Sequence, residues 1–387
     1  MGRLFLFGFI GLFISWGALY YRYSDEKNTQ ARKYRLDPPP TLENVLAENR
    51  LLEKAEHILE NQIVGPESFV VEKDAIYATI YDAKVIKIVN GKIVSQVSYS
   101  ERAKFFRDCG NFEAEDTCGR PLGIRKLSEN SQKFVVADAY LGVFVVDFSD
   151  EQNPTTSQIL DSKKPIEGFA PKFLNDLDVL NEDEIILSDS STKYPRKQFM
   201  PLILEQNPNG RIIHLKISTK TAKVLISGLY FPNGVQLTSD KQSILFSECS
   251  MARIKKLDLK SKNVEMFVKN LPGMPDNIRK TERNTYWVGL AAIRHSATPS
   301  LIDKLGSVPG IRQFLIDIIP SKFWETILHT FRKSHSIVVE IDENGRIIRS
   351  LHDLTGKIVG DVSQVAEFEG YLYFGSFNSP FLAKLKL

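Results

Sequence analysis

Several kinds of chemistry are excluded by what the sequence lacks. It has only 3 cysteines among 387 residues, and none stands in a zinc-binding motif. There is no Gly-x-Ser-x-Gly elbow, which disfavours a serine hydrolase, and no glycine-rich nucleotide-binding loop. Dense runs of one charge are also missing. The formal net charge is +3, and basic residues come no closer than short pairs such as Lys255-Lys256, so no nucleic acid is expected as a partner. Only one long apolar run occurs, which excludes a polytopic membrane protein. Strands do not alternate with long helices, which argues against a parallel α/β sheet. What is present is ordinary globular composition, 43% hydrophobic and 25% charged, in a chain long enough for one large domain or two average ones.

The single apolar run is Leu4 to Tyr21, LFLFGFIGLFISWGALYY. At about 18 residues it is near the lower limit for crossing a bilayer core. It is read as an uncleaved anchor over residues 1–21. A signal peptide is the rival, but Trp16 and Ala18-Leu19-Tyr20 make a poor cleavage site. Two signals disagree on orientation. Arg3 alone precedes the run, whereas Arg22, Lys27, Arg32, Lys33 and Arg35 follow it, and the positive-inside rule then places the C-terminal bulk in the cytosol. Cys109 and Cys118 point the other way. They share the loop DCGNFEAEDTCGRP, no further His or Cys is near enough to complete a zinc site, and a disulfide needs an oxidising compartment. No Asn-x-Ser/Thr sequon accompanies them. Cys249 sits in an apolar strand-like run and reads as a buried thiol.

Residues 22–54 read as a stalk and a short helix: the stalk spans 22–40 and is extended at Pro38-Pro39-Pro40, and the helix runs over 42–56, capped by Thr41. From residue 55 onward, short β-branched and aromatic runs alternate with turn residues. Examples are AIYATIY (75–81), GVFVVDF (142–148), QSILFSEC (242–249) and YLYFGSF (371–377). Asn90-Gly91 and Asn344-Gly345 supply hairpin turns. The strands fall into six units of roughly 50 residues, the mark of a propeller. The expected fold is all-β, a six-bladed β-propeller over 55–387 with an N-terminal transmembrane helix. The last blade is one strand short, and residues 55–63, AEHILENQI, are available to close the ring. Residues 293–334 break the pattern with apolar residues at helical spacing, and predict a helical insertion in blade five. It serves either as packing over the propeller face or as a lid or membrane-touching flap.

The blade starts share an oxygen-bearing side chain. Glu67 follows Gly65-Pro66, Asn175 follows Phe173-Leu174, Asn233 follows Phe231-Pro232, and Asp276-Asn277 follow Gly273-Met274-Pro275. Innermost strands converge on the channel, so Glu67, Asn175, Asn233, Asp276 and Asn277 would face one axis. Two carboxylates and three amides suit a hard cation with oxygen ligands, Ca²⁺. Turn formation by Asn-Gly and Asp-Asn is the alternative for any one of them alone.

These motifs, with Cys118-Gly119-Arg120-Pro121-Leu122-Gly123-Ile124-Arg125, Met251-Ala252-Arg253-Ile254, Tyr286-Trp287-Val288-Gly289 and Leu372-Tyr373-Phe374-Gly375, resemble the strictosidine synthase-like family of six-bladed propellers from about residue 55 to the C-terminus. The resemblance implies a single N-terminal anchor with the propeller on the lumenal or extracellular side, a type II membrane protein, and a disulfide before the Gly-Arg-Pro motif. The wider superfamily holds paraoxonases and gluconolactonases, calcium-dependent hydrolases whose ligand positions match the five residues above. Departures are informative. Leu122 and Ala291 stand where paraoxonases place acid–base histidines. Ser68 replaces a carboxylate of a second, structural calcium. The glutamate that strictosidine synthase uses in its last blade has no counterpart at Asp361 to Ser363, so condensation chemistry is not expected. What remains is a membrane-anchored calcium-dependent hydrolase of the arylesterase or lactonase type, acting on a small lipophilic ester or lactone. Asp276 and Asn175 would act at the substrate, through attack by Asp276 or by a metal-activated water. His295 is the nearest histidine that could serve as base. The competing class is a non-enzymatic receptor or scaffold in which calcium only staples the blades.

Overall fold

A computed structural model describes residues 29–100, 109–331 and 335–387. The apolar run at residues 4–21 lies outside them, and among the described residues no helix is long and apolar enough to cross a membrane. The described residues form six four-stranded antiparallel sheets. Their innermost strands begin at Phe69, Pro121, Leu174, Pro232, Gly273 and Val362, and each touches the next around a closed ring. Five sheets use consecutive strands. The sixth takes Val362–Phe368, Tyr371–Ser376 and Leu382–Lys386, and its outermost strand is Glu56–Ile58 from the other end of the propeller chain.

The middle strands are buried on both faces because blades pack face to face. Ile244, Leu245 and Phe246 are all fully buried, although a solvated sheet would expose every second one. At the Asn90-Gly91 hairpin both residues adopt the left-handed backbone, φ 50° and 71°, as a tight turn matched to the strand twist requires.

Within blade five, the second strand (Tyr286–Ile293) and the third (Ser336–Ile341) are separated by three α-helices, Leu301–Leu305, Pro309–Ile318 and Trp324–Phe331. A capping box at Ser300 and Asp303 starts the first. Helix Phe199–Glu205 of blade three, itself between second and third strands, packs beside them. Met200, Leu204, Ile316 and Trp324 share one core there.

The segment before the ring departs from the sequence reading. Residues 42–56 form no α-helix, only two 3₁₀ turns at Asn44–Leu46 and Leu52–Lys54. The described part of the stalk is a strap bonded across one face. The amide of Tyr34 donates to Gly306 O, the amide of Ser296 to Pro40 O, and Ser350 Oγ to Val45 O. Leu42 and Leu46 pack on the core shared by blades four and five, and Leu52 joins Trp287 in the next. Tertiary partners thus replace helical hydrogen bonds.

Under the strap lies a buried histidine chain. Ser350 Oγ donates to Val45 O, so it accepts from His352 Nε2 at 3.0 Å. His352 Nδ1 then accepts from His335 Nε2 at 3.1 Å. His295, Glu48 and Asp353 also face this group. The arrangement is satisfied only with His352 neutral, and burial beside two other histidines pushes its pKa from 6.5 down to about 4. Below pH 6.5 the unfolded chain takes up a proton that the folded one refuses, so stability present at pH 7 is lost on acidification. Urea unfolding is expected to show about 2 kcal/mol less stability at pH 5 than at pH 7 from this group, and His352→Gln is expected to flatten that slope.

Candidate functional site

Five of the six inner strands begin with a break in register; the blade-one strand Phe69–Val71 pairs without one. Pairing with the second strand lapses between Leu174 and Leu177, between Pro232 and Val235, and between Pro275 and Ile278. The skipped residues are Asn175-Asp176, Asn233-Gly234 and Asp276-Asn277. A bulge re-aims side chains that a regular ladder would send into the blade faces, and this is how the polar residues come to point at the axis. The bulges nest closely. A Cβ on Gly234 would lie 2.3 Å from Asp276 O, and one on Gly123 would lie 2.8 Å from Asn175 O, so glycine is required where neighbouring backbones meet. Serines lock the arrangement from blade to blade. Ser188 Oγ donates to Asn233 O (2.6 Å), Ser247 Oγ to Asp276 O (3.0 Å), and Ser363 Oγ to Glu67 O (2.6 Å).

Glu67, Asn175, Asn233 and Asp276 line the floor of one cavity of about 630 Å³. Asn277, the fifth sequence-predicted residue, is fully buried beside Asp276 but off the cavity surface. Buried polar atoms in a folded protein ordinarily have partners. Here Oδ1 of Asn175, Asn233, Asp276 and Asn277 are all buried with none. The Asn175 amide nitrogen is turned to Ser190 Oγ at 3.2 Å, which fixes its oxygen on the cavity side. Burial, with Glu67 and Asp176 as negative neighbours, holds the Asp276 carboxyl well above the usual range. Burial also raises Glu67, against the pull of Arg120 and Arg196. A cation between them would reverse both shifts. Hard oxygens alone, two of them from carboxylates, fit Ca²⁺ better than a soft metal. No cluster of three His, Cys, Asp or Glu suited to a metal exists among the described residues, so amides are indispensable to any such site.

The cavity walls are apolar. Leu122, Phe173, Phe231 and Met274 line them from the propeller, and Phe199, Met200, Leu315, Trp324 and Leu328 from the helices above. Leu122 and Ala291, the positions where histidines were looked for, both face the cavity. His295 does not. It is buried at ring-centroid distance 5.8 Å from His335, within the histidine group beneath the strap, so it is withdrawn as a candidate base. Asp361 reaches the cavity rim from blade six.

Sequence reasoning missed the charged layer beside Glu67. Arg120 Nη2 lies 3.3 Å from Glu67 Oε2 and its guanidinium stacks over Tyr81. Arg196, on the cavity wall, pairs with buried Glu115 at 2.7 Å. Glu115 starts the turn that ends at Cys118, and Cys118 is disulfide-bonded to Cys109. The bridge therefore anchors the segment that positions Glu115 and Arg120. Nothing in the spacing of Arg196 marks it, since it lies in an insertion.

Ser68, which stands where the resemblance would place a carboxylate, is hydrogen-bonded to a guanidinium. Arg279 Nη2 donates to Ser68 Oγ at 3.0 Å, while Nη1 and Nη2 grip Asp176 at 2.8 and 3.1 Å. Ser68 in turn donates to Gln364 Oε1. One guanidinium thus joins blades one, three and five, and reaches blade six through Ser68.

Comparison with known proteins agrees with this architecture. The strictosidine synthase family model matches residues 175–262 and the strictosidine synthase-like N-terminal model residues 45–88. Adipocyte plasma membrane-associated protein of Gallus gallus is 40% identical over 361 residues, 91% of this chain and 82% of that one. Among solved structures, a calcium-binding regucalcin from Agrobacterium tumefaciens superposes with TM-score 0.52 at 11% identity, covering 85% of this chain and 92% of that one. A gluconolactonase from Xanthomonas campestris gives 0.51 at 13%, covering 92% and 98%. At such identities the likeness is one of fold.

Proposed function

The chain belongs to the adipocyte plasma membrane-associated protein family, and from that premise we propose that it is a membrane-anchored, calcium-dependent hydrolase of lipophilic esters or lactones. The observation that carries this reading is the group of buried, partnerless oxygens on Asn175, Asn233, Asp276 and Asn277 at the base of an open apolar cavity. Glu67, Asn175, Asn233, Asp276 and Asn277 would hold the ion. When bound, calcium supplies Lewis-acid polarisation of an ester carbonyl.

The chain's own residues do the rest. The Asp276 carboxylate attacks the carbonyl carbon and displaces the alcohol as its alkoxide, which takes a proton from water; water then hydrolyses the acyl-aspartate to the free acid and restores Asp276. Asn175 orients the carbonyl from the other side. Leu122, Phe173 and Phe231 grip the apolar part of the substrate and keep bulk water away. With Leu122 and Ala291 where a histidine base would stand, turnover is expected to be slow. The cavity also favours an enzyme over a scaffold, since a channel needed only as a staple has no use for this volume. The regucalcin and gluconolactonase likenesses support a calcium propeller. The Cys109–Cys118 bridge and the relatives' names support residues 4–21 as a type II anchor with the propeller in an oxidising, lumenal or extracellular space.

The test is phenyl acetate hydrolysis by the full chain in detergent, with Ca²⁺, with chelator, and after calcium is restored. Chelation is expected to lower both the rate, by at least about tenfold, and the melting temperature, with recovery of both. Calcium-dependent melting without turnover above buffer would sink the enzyme and leave the stapled scaffold.

A further inference from the structure

We propose that the outer face of the blade-five insertion docks on a lipid bilayer, the one that would hold residues 4–21, so that the cavity is presented to the membrane. The inference does not depend on hydrolysis. It starts from where apolar surface is left uncovered. Leu301, Val308, Ile311, Phe314 and Phe323 are 38–51% exposed, and all lie within one stretch of the insertion. Ile311 and Phe314 are three apart on one helix and so share a face, while Ile316 of that helix is fully buried. Exposed large apolar side chains concentrated in one insertion mark an interaction surface.

The course of the chain says what covers it. The described chain enters at this same insertion. The Ala31 amide donates to Gln313 Oε1 (2.9 Å), Arg312 donates to Arg32 O, and Tyr34 Oη donates to Ile302 O (2.7 Å). Only residues 22–28 separate Thr29 from the apolar run, so the run's end is at most about 28 Å from that strap. A bilayer that takes up residues 4–21 is therefore held within that reach of the insertion. Exposed Lys304 and Lys322 suit the headgroup layer, and Lys322 lies over the exposed Phe323 ring. The inner sides of these helices roof the cavity through Leu315, Ile319, Ile327 and Leu328, so a lipophilic molecule would pass from the bilayer without crossing bulk water.

The test uses the full chain in lipid nanodiscs, with Cys249 replaced by serine and an environment-sensitive fluorophore on one introduced cysteine. Ile311→Cys and Phe314→Cys report the proposed face. Glu182→Cys lies in the turn at the opposite end of a blade-three inner strand and reports the far face. Brominated phosphatidylcholine is expected to quench positions 311 and 314 severalfold more than 182, and brominated phosphatidylserine at least as strongly. In a further variant, Ile311→Asp with Phe314→Asp is expected to reduce quenching of a fluorophore on Phe323→Cys. Equal quenching at 311, 314 and 182 would overturn the proposal. So would a blue shift at 311 that ignores brominated lipid but grows with the number of chains per disc, because that pattern assigns the face to a second copy.

Discussion

Asp276→Ala is expected to lower kcat/KM for phenyl acetate by at least about 100-fold and to abolish the calcium-dependent rise in melting temperature together. Asp276 is one of only two carboxylates among the five candidate ligands, and the one whose free oxygen faces the cavity. Its effect on the metal-free protein should have the opposite sign. Without a cation, burial and two negative neighbours disfavour its charge, so the variant in chelator should melt at or above the wild type in chelator. That crossover separates a ligand from an ordinary core residue, whose loss lowers stability under both conditions. Enzyme assays and thermal melts on the same samples read it directly. If activity falls while calcium still stabilises the variant fully, Asp276 is no ligand and the proposed site is wrong.

The second large effect is expected at Arg279. Burial and nearby Arg125 push its pKa down to about 10, yet it stays charged at neutral pH. Asp176 is fully buried and accepts both of its nitrogens, and also accepts from the Val235 amide. Arg279→Ala leaves that buried carboxylate with Arg125, at the longer distance of 3.5 Å, as its remaining cation, and the cost of breaking a buried pair is about 3–5 kcal/mol. Urea midpoints should move accordingly, and Asp176→Asn combined with Arg279→Met should recover part of the loss by removing the under-compensated buried charge. A cost below about 1 kcal/mol for Arg279→Ala would mean that the guanidinium does not staple the blades.

How much of this was legible in the sequence differs by element. Strands were legible because blade packing demands continuous β-branched runs such as VFVVDF, and the closing strand because AEHILENQI preceded a final blade that lacked one. The polar blade starts were legible because Gly, Pro and Asn cluster where the inner strands bulge. The bulges themselves, which aim Asn175, Asn233 and Asp276 inward, leave no separate mark. Arg196, Glu115 and Arg120 were missed because they meet across blades, and no local periodicity records such a meeting. The helix expected over 42–56 failed for a related reason: Leu42 and Leu46 are claimed by the core between blades four and five, and Leu52 by the next core. Arg279 was visible only as the residue after Asn277-Ile278, and its role appears once Ser68 and Asp176 are seen on either side of it.

Closure of the ring by Glu56–Ile58 against Leu382–Lys384 also fixes an order of events during synthesis. The strand that completes the last sheet leaves the ribosome early, and its partner leaves among the final residues. Until then the facing sides of blades one and six are not joined by that strand, and Glu56–Ile58 has nothing to pair with. Such long-range pairing is slow to form and leaves sticky edges exposed while it waits. Were residues 4–21 to tether the nascent chain as proposed above, Glu56–Ile58 would stay close to the site of emergence, which would shorten the search that completes the circle.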